Sequence, residues 1–580
     1  MEHHLTTYIT HDTLISALGF GTQENLEAIR SYHSGITLQT DKRIADTPLL
    51  AATLSQERLQ QQAEAIGVSG YPRMEQLFIL TINELIRQSG QTLEDKTCGL
   101  ILSTTKGNID LLARHTEHPD EAVFLWKMAE NIAGYFHAEE RMHVISNACI
   151  SGVSALIAGK RMIENGIYRR VIVAGGDLLS HFITSGFGSF RSLSSRPCRP
   201  YDSSRDGLNL GEACGAVLLS SEGTEEHVIL SGGAVSNDAN HISGPSRTGD
   251  GLYFAIRQAM QEAGTAPQDI SFVNAHGTAT LYNDEMESKA LTLAHLEQVP
   301  VHSLKPYFGH TLGASGIIES IICMHELKQG VLFGTLGYET AGTPMPLQVY
   351  ATHKAILMKH CLKTASGFGG CNAALVLSLP EYQKKGMDTP LPDVRCTREV
   401  RIENSRVYVD NKLIFHSEEP DFGTFIREVY KKQGVNNMKF YKMDDLCKLG
   451  YIAAEYLLEG KTFAPQEIGM LLANAGSSLH TDIKHQQLID RDGDEAASPT
   501  VFVYTLPNVV SGEICIRHKI QGENSFFITK AYQPERLKEY ARMVMGKGKL
   551  KYGIIGWCDL LNDTYKAEFK LLEAGRCIKG

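Results

Sequence analysis

The chain has 580 residues, of which 43% are hydrophobic and 21% charged, the balance of an ordinary globular protein; this excludes a collagen, a disordered tail protein and a coiled-coil rod. Its 56 basic and 66 acidic residues give a net charge of −10. A generally basic nucleic-acid binder is therefore not expected, because phosphate binding needs clustered positive charge. The chain contains no apolar run of the roughly 18 residues that suggest a membrane span and no signal-peptide pattern at its start. The 12 cysteines form no Cys-x-x-Cys pair, which argues against a disulfide framework or a zinc site and for a reducing cytoplasm.

Strand and helix patterns alternate through the first 380 residues. Continuous apolar runs at 98–105, 171–176 and 375–379 predict buried strands. The apolar spacing of residues 151–165 predicts a helix, and Gly166 is a plausible end for it. This alternation predicts an α/β fold with a largely parallel sheet covered by helices.

The composition changes beyond residue 380. Residues 381–394 are polar and contain two prolines and a glycine, which predicts a linker. Residues 399–415 then have the pattern of a short hairpin with Asp410-Asn411 as its turn.

The region after the linker, residues 395–580, aligns without gaps with part of the first half at an offset of 382 residues. In this alignment Ile554 falls under Ile172, and Ala531 takes the place of Cys149. Self-similarity of this kind indicates a repeated supersecondary unit. We therefore predict a degenerate, non-catalytic copy of the first half, with a structural or partner-docking role.

Several short motifs place reactive side chains at the ends of predicted strands. Cys149 lies between a β-rich run and the predicted helix 151–165, where free backbone N–H groups and the helix dipole are expected to stabilise a thiolate. His276 follows an apolar strand, and Lys305 and His310 share a glycine-rich loop. Taken alone, each has a commoner structural explanation, such as a buried cysteine or a core histidine.

Taken together, these residue types favour covalent acyl chemistry. A thiolate accepts an acyl group as a thioester. Two imidazoles that donate hydrogen bonds stabilise an oxyanion or enolate, assisted by a lysine and by the backbone N–H groups of the glycine-rich loop at 366–372.

The order and spacing of these motifs resemble the β-ketoacyl-[acyl-carrier-protein] synthases, condensing enzymes of the thiolase fold. The motifs are Asn147-Ala148-Cys149, Cys198 to Glu212, Asn274-Ala275-His276-Gly277-Thr278, Lys305 with Gly309-His310, and Gly367-Phe368-Gly369-Gly370. The resemblance covers residues 8–380. It implies two similar halves, residues 1–225 and 226–380, packed as a five-layer α-β-α-β-α core.

The resemblance implies a catalytic role for each reactive residue. Cys149 is the expected acylated nucleophile. His276 and His310 are expected to bind the thioester carbonyl of the extender and to promote its decarboxylation. Lys305 is expected to orient or polarise the site, with Glu319 as its partner.

The resemblance also implies binding and supporting roles. Phe368 matches the family's gating phenylalanine, and its N–H is expected to form the oxyanion hole with that of Cys149. Thr278 and Thr280 match the threonines that hydrogen-bond the pantetheine arm, and Asp284 matches an acidic residue that is structural.

The reaction that the resemblance implies is a decarboxylative condensation. An acyl group moves from a carrier protein to Cys149. Malonyl-carrier protein then loses CO2, and the enolate attacks the acyl thioester to give a 3-oxoacyl-carrier protein. No metal or organic cofactor is expected, since phosphopantetheine arrives on the carrier protein. A homodimer or heterodimer is expected.

The sequence departs from the family at several positions. Ser366 stands where another phenylalanine is usual, and Cys371 replaces the usual threonine. Lys106 falls near the expected acyl pocket, where a lysine is costly unless paired or solvated. Either the enzyme takes an atypical acyl chain that is short, polar or unsaturated, or Lys106 faces solvent.

Three other functions stay open. A degradative thiolase needs a second catalytic cysteine, for which Cys371 is the only nearby candidate, and one fewer loop histidine. A non-decarboxylating acyltransferase of the same fold is disfavoured by the presence of both His276 and His310. A non-catalytic subunit of the chain-length-factor kind usually lacks the cysteine that this chain retains at position 149.

Overall fold

The computed structural model describes residues 5–113, 116–117, 119–138, 142–384, 391–546 and 550–575. The helices of these residues are α1 Thr22–Arg30, α2 Gln56–Ala65, α3 Arg73–Ser89, α4 Leu125–Tyr135, α5 Ser151–Glu164, α6 His181–Ser189, α7 Asp250–Ala263, α8 Leu281–Leu293, α9 Lys305–Phe308, α10 Ser315–Gln329, α11 Phe422–Gln433, α12 Asp445–Leu458, α13 Leu479–Asp492, α14 Pro499–Val503, α15 Val509–His518 and α16 Pro534–Met545. None of them is long and apolar enough to cross a membrane.

The strands of the same residues are β1 Tyr8–Ser16, β2 Gly19–Phe20, β3 Thr37–Gln39, β4 Leu49–Ala52, β5 Cys98–Ser103, β6 Met142–Ile145, β7 Arg170–Asp177, β8 Leu210–Gly211, β9 Ala213–Ser220, β10 Val228–Asn237, β11 Ile270–Asn274, β12 Pro300–His302, β13 Val331–Leu332, β14 Gln348–Val349, β15 Lys354–Ala355, β16 His360–Gly367, β17 Cys371–Ser378, β18 Val394–Glu403, β19 Arg406–Val409, β20 Lys412–His416, β21 Ile468–Asn474, β22 Asn524–Ile528, β23 Tyr552–Leu561 and β24 Thr564–Ala574.

Two sheets with the same strand order form the core of the first 380 residues. The first runs β6-β5-β7-β9-β1, with β5 parallel to β6 and β7, and with β9 antiparallel to β7 and β1. The second runs β12-β11-β16-β17-β10 with the same directions. Equal order and direction in both sheets describe two similar βαβ-rich halves.

The helices complete five layers. α5 and α10 lie between the two sheets, where their buried apolar residues contact both. α3 covers the outer face of the first sheet, and α7 covers that of the second. The α-β-α-β-α thiolase-like core predicted from the family resemblance is therefore confirmed.

The same strand order recurs near the C-terminus, in residues 394–574, which we call the C-terminal region. Its sheet runs β22-β21-β23-β24-β18, again with three parallel strands followed by two antiparallel ones. β22 then pairs antiparallel with β6 of the first half, with Phe527 opposite Ile145. One continuous sheet therefore joins the core to the C-terminal region.

The C-terminal region differs from the sequence prediction in one element. The predicted hairpin is a three-stranded antiparallel meander, β18-β19-β20. Asp410 and Asn411 do form its second turn, both with positive φ (47° and 62°), but an additional turn at Asn404-Ser405, also with positive φ, precedes it. The predicted domain boundaries stay predictions, and residues 385–390 of the predicted linker lie outside the described residues.

Candidate active site

Cys149 lies at a tight strand-to-helix connection. β6 ends at Ile145 and α5 begins at Ser151, and between them Ala148 takes the left-handed conformation (φ 49°). Ser151 fixes the turn, because its Oγ accepts a hydrogen bond from the Asn147 N–H at 2.7 Å. Gly367 packs against the turn so closely that a Cβ there would lie 3.1 Å from the Cys149 nitrogen. The two backbones thus approach each other where an oxyanion hole is expected.

The sulfur and both predicted histidines converge. His310 Nε2 lies 3.2 Å from Cys149 Sγ, and the His276 and His310 rings are 5.1 Å apart, edge to face. One ligand atom from each of the three residues falls within 4.8 Å of the others. His310 Nδ1 lies 3.2 Å from Ser315 Oγ, which orients the ring.

Burial sets the charge state of all three groups. Desolvation lowers the pKa of His276 and His310 well below 6.5, and Lys305 and Lys363 lower it further. Both rings are therefore neutral and can each donate one N–H. Desolvation also raises the pKa of the Cys149 thiol to about 12. Desolvation thus opposes the thiolate that the helix terminus was expected to stabilise, and the resting thiolate stays a prediction.

Lys305 and Glu319 form the predicted pair. Lys305 Nζ contacts Glu319 Oε1, and both side chains are almost completely buried. A second lysine, Lys363, contacts the other carboxylate oxygen at 2.5 Å. Sequence analysis missed Lys363, which lies three residues before the glycine-rich loop at 366–372 and belongs to no motif of its own.

The site opens into a cavity of about 410 Å³. Cys149, His276 and His310 line it together with Thr278, Thr280 and Phe368. Thr278 Oγ1 and Thr280 Oγ1 are 2.8 Å apart. The predicted pantetheine-binding threonines and the predicted gate are therefore on the walls of the same cavity as the nucleophile.

A carboxylate that sequence analysis missed shapes the His276 loop. Glu287 accepts hydrogen bonds from the backbone N–H groups of His276 (2.8 Å) and Gly277 (2.7 Å) and from the Tyr201 hydroxyl (2.9 Å). Asp284, the predicted acidic residue, accepts a hydrogen bond from the Tyr201 N–H at 2.8 Å. Asp284 thus contacts Tyr201, whereas Glu287 contacts the His276 backbone directly. Glu287 lies on α8, eleven residues after His276, and this spacing is the sequence signal that could have identified it.

Lys106 is buried and paired. Its side chain is 5% exposed, and Nζ contacts Asp482 Oδ1 at 2.7 Å and Ser478 Oγ at 3.1 Å. The same ammonium lies 5.2 Å above the Phe182 ring. The alternative in which Lys106 faces solvent is therefore wrong. The sequence could not name Asp482 and Ser478, because they belong to the C-terminal region.

A second, small cavity of about 30 Å³ lies between Cys149 and Lys106. The C-terminal region closes it with Phe502, Thr505 and Leu506. This is the place that the resemblance assigns to the acyl chain.

Several contacts hold the glycine-rich loop at 366–372 in place. Ser366 Oγ donates to Asn372 Oδ1 at 2.7 Å. Cys371 Sγ lies 3.2 Å from the Phe368 carbonyl oxygen, and Cys371 is not among the residues that line the large cavity. Its thiol thus faces the backbone, which disfavours the degradative-thiolase alternative.

Two family models match successive parts of the chain. The model described as "Beta-ketoacyl synthase, N-terminal domain" matches residues 23–224, and the model described as "Beta-ketoacyl synthase, C-terminal domain" matches residues 227–339. Together they cover more than half of the 580 residues. The chain belongs to the β-ketoacyl synthase family.

Curated relatives agree with this family. A putative mitochondrial 3-oxoacyl-[acyl-carrier-protein] synthase of Schizosaccharomyces pombe is 32% identical over 257 residues, covering 40% of this chain and 60% of the relative. The 3-oxoacyl-[acyl-carrier-protein] synthase 2 of Vibrio cholerae is 33% identical over 251 residues, covering 40% of this chain and 61% of the relative. The chain thus spans about 60% of the length of the curated relatives it matches.

Solved structures extend the likeness. A ketosynthase in complex with its chain length factor, ApeO with ApeC from Xenorhabdus doucetiae, is 25% identical with a TM-score of 0.57, covering 65% of this chain and 98% of that one. A "PfaC Keto synthase-Chain length factor" structure is 14% identical with a TM-score of 0.79, covering 99% of this chain and 79% of that one. At that identity the second likeness concerns the fold alone, and it includes the C-terminal region.

Proposed function

We propose that this β-ketoacyl synthase condenses an acyl group on Cys149 with malonyl-carrier protein and releases CO2 and a 3-oxoacyl-carrier protein. The observation that carries the proposal is the convergence of Cys149, His276 and His310 on one wall of a large cavity. The proposed partner is an acyl carrier protein, whose pantetheine arm is long and thin enough to reach a buried thiol.

The first half-reaction is acyl transfer. The Cys149 thiol attacks the acyl thioester while His310 Nε2, 3.2 Å from the sulfur, takes its proton. The tetrahedral oxyanion is held by the N–H groups of Cys149 and Phe368. Its collapse breaks the C–S bond to the carrier, whose thiolate takes a proton from solvent, while His310 keeps the proton on Nε2 and loses the one on Nδ1 towards Ser315 Oγ.

The second half-reaction uses the neutral histidine pair. The malonyl thioester oxygen accepts hydrogen bonds from the N–H groups of His276 and His310, so the electron pair released as CO2 leaves is stabilised as an enolate. The enolate carbon forms a C–C bond to the acyl carbonyl carbon. Collapse of that intermediate breaks the bond to Cys149, whose sulfur takes the proton from His310 Nε2, and His310 Nδ1 regains a proton from solvent.

The test is intact-protein mass spectrometry with acyl-carrier and malonyl-carrier proteins. We expect one acyl adduct on Cys149 in the absence of extender, its absence in Cys149→Ala, and release of CO2 and a 3-oxoacyl product when extender is added. A protein that never acylates is instead the non-catalytic subunit. One that acylates but releases no CO2 is the non-decarboxylating acyltransferase.

For the substrate we propose a short acyl chain. The cavity between Cys149 and the Lys106–Asp482 pair measures about 30 Å³, room for about two water-sized groups at about 10–15 Å³ each. We expect short primers to be transferred faster than long saturated ones. Phe502→Leu shortens a wall of this cavity and should shift the preference towards longer primers, whereas Phe440→Leu, in the buried core of the C-terminal region, should not. Efficient use of long saturated primers by the unmodified enzyme contradicts the short-chain proposal.

We propose that the C-terminal region occupies, within the same chain, the position that a separate partner subunit would occupy. Its β22 occupies the free edge of β6, and its Phe502 and Leu506 bound the cavity beside Cys149. A homodimer or heterodimer, either of which the family resemblance predicts, would have to use another surface. Light scattering should therefore give a mass near 63.9 kDa; a dimer that dissociates when residues of β22 are changed contradicts this assignment. The cytoplasmic location stays a prediction.

A further inference from the structure

A second group of potential metal ligands is buried between β12 and α10. His302 is the last residue of β12, and Cys323 and Glu326 lie on α10. All three side chains are 0% exposed. One ligand atom from each residue falls within 4.8 Å of the other two. Three residues of the types that bind transition metals thus meet at one buried point, and the reaction proposed above uses none of them.

The register of α10 brings its two ligands together. Cys323 and Glu326 are three residues apart and therefore lie on one face of the helix. The backbone N–H of Phe333 donates to Glu326 Oε1 at 2.7 Å and orients the carboxyl group. Glu326 Oε2 has no hydrogen-bond partner among the described residues. A buried oxygen without a partner is costly, which indicates that either a cation or a proton satisfies it.

The distance between Glu326 Oε2 and His302 Nε2 favours a cation. The two atoms are 3.4 Å apart, longer than the usual hydrogen bond of about 2.7–3.2 Å. Zinc binds both kinds of atom at about 2.0–2.2 Å, and at the tetrahedral angle two such ligands lie about 3.4 Å apart. Asn274 Nδ2 also lies 3.2 Å from His302 Nε2, so binding of an ion exchanges that contact for a coordinate bond.

Cys361 completes a set of four ligands. It is fully buried on β16, belongs to the same apolar cluster as Cys323 and interacts with the Cys323 thiol. Side chains alternate along a strand, so Cys361 lies on the same face of β16 as Lys363, which contacts Glu319 of α10. Cys323 lies one helical turn beyond Glu319. The strand and the helix therefore bring the two sulfurs to the same place.

Charge balance favours a divalent ion. When an ion binds, the Cys323 thiol loses its proton to solvent. The thiolate and the Glu326 carboxylate together have a formal charge of −2, and neutral His302 adds none. A divalent cation therefore leaves these three ligands without net charge, which lowers the cost of burial. Sulfur and imidazole nitrogen favour zinc over calcium and magnesium, which prefer oxygen ligands.

We propose that His302, Cys323 and Glu326 bind one Zn²⁺ as a structural site. Cys361 takes the fourth position, so no position stays open for a substrate. The ion ties α10 to β12 and β16, and it takes no part in the condensation, on which the site does not depend. The sequence prediction of no zinc site rested on the absence of a Cys-x-x-Cys pair, and that signature does not cover ligands from three separate elements.

The experiment measures zinc by inductively coupled plasma mass spectrometry. The protein is expressed with added zinc and passed over a chelating resin. All samples carry Cys149→Ala, because Cys149, His276 and His310 form another group whose ligand atoms could hold an ion. We expect one zinc per chain in this background. Adding Cys323→Ala or Glu326→Gln should abolish stoichiometric zinc, since a closed site loses a ligand.

Cys214 provides a matched control. Its thiol is also 0% exposed, but it lies on β9 in the core between the first sheet and α3. Adding Cys214→Ala should leave one zinc per chain. Absence of zinc from the Cys149→Ala background overturns the proposal. Zinc that persists after Cys323→Ala is added overturns it as well, because the ion is then bound elsewhere.

Cobalt decides the matter if the Cys323→Ala protein does not fold. Protein produced with Co²⁺ in place of zinc should absorb in the near ultraviolet, because a thiolate ligand gives a charge-transfer band there. In the Cys149→Ala background this band cannot come from the active-site thiol. Bound cobalt without the band overturns the assignment of Cys323. Condensation by a zinc-free protein contradicts this inference alone, whereas a zinc protein that never condenses contradicts the proposed function alone.

Discussion

Asn508 of the C-terminal region donates a hydrogen bond from Nδ2 to the backbone carbonyl of Phe368, at 2.8 Å. The same nitrogen lies 2.6 Å from where a Cβ of Gly369 would be, and Gly369 has φ +86°, so only glycine fits there. A side chain from one end of the chain thus holds the loop that carries the predicted gate.

We expect Asn508→Ala to loosen this loop. A lost buried hydrogen bond of this kind costs about 0.5–1.5 kcal/mol, or about two- to tenfold in an equilibrium. The open form of the gate should become more populated, water should reach the thioester, and hydrolysis of acyl-Cys149 should accelerate by a similar factor. The measurement is the decay of the acyl adduct by mass spectrometry. Asn437→Ala, which removes a hydrogen bond to Tyr451 elsewhere in the C-terminal region, serves as the control. Equal decay of the acyl adduct in both variants would contradict the prediction that Asn508 holds the Phe368 loop in place.

The two histidines should separate the two half-reactions. Only His310 has a described contact with the Cys149 sulfur, so His310→Ala should slow acyl transfer and decarboxylation alike. His276→Ala should leave most acyl transfer intact and slow decarboxylation by about 10²–10⁴-fold, the usual range for a proton-transfer or hydrogen-bonding group of this kind. Adduct formation and CO2 release are measured separately. An equal loss of acyl transfer and of decarboxylation in His276→Ala would contradict separate roles for the two histidines.

The Lys106–Asp482 pair should link the core to the C-terminal region. Both side chains are 5% exposed, and removing one partner of a buried pair leaves an uncompensated charge, which costs about 3–5 kcal/mol. We expect Lys106→Met to lower the free energy of unfolding by an amount in this range, and Lys106→Met/Asp482→Leu to recover much of it. Denaturant unfolding of the single and double variants gives the coupling energy. A double variant no more stable than the single one would mean that the pair contributes nothing beyond packing.

A pH-dependent contact joins the same two parts of the chain. His181 Nε2 contacts Asp494 Oδ1 of the C-terminal region and lies 3.5 Å from Asp46 Oδ2. The hydrogen bond to Asp494 raises the pKa of His181. A raised histidine pKa in the folded state gives stability that is fully present below about 6.5 and is lost as the pH rises through the folded-state value.

We therefore expect unfolding at pH 6 to show a stabilising contribution of His181 that is absent at pH 9. The group is a quarter exposed, so the contribution should be at most about 1 kcal/mol. The measurement compares the original protein with His181→Gln at both pH values. A difference between the two proteins that does not change with pH would exclude a charged contact.

The sequence by itself named the residues of the candidate site. Cys149, His276, Lys305 and His310 belong to short motifs set by the local sequence: the first three follow β6, β11 and β12, and His310 follows α9. The sequence also indicated that the strand pattern recurs, because Ile554 aligns with Ile172 and both belong to buried apolar runs. In the structure the two residues lie on β23 and β7, which occupy equivalent positions in their sheets.

Only the tertiary structure decided where charges are paired and what closes the site. Lys106 meets Asp482 across 376 positions of sequence, and Asn508 meets Phe368 across 140; such contacts depend on how β22 docks on β6, which no local pattern encodes. Likewise, whether Cys149 rests as thiol or thiolate depends on a balance between desolvation and neighbouring charges. That balance exists only once Lys305 and Asp177 have been brought near Cys149 in a buried interior.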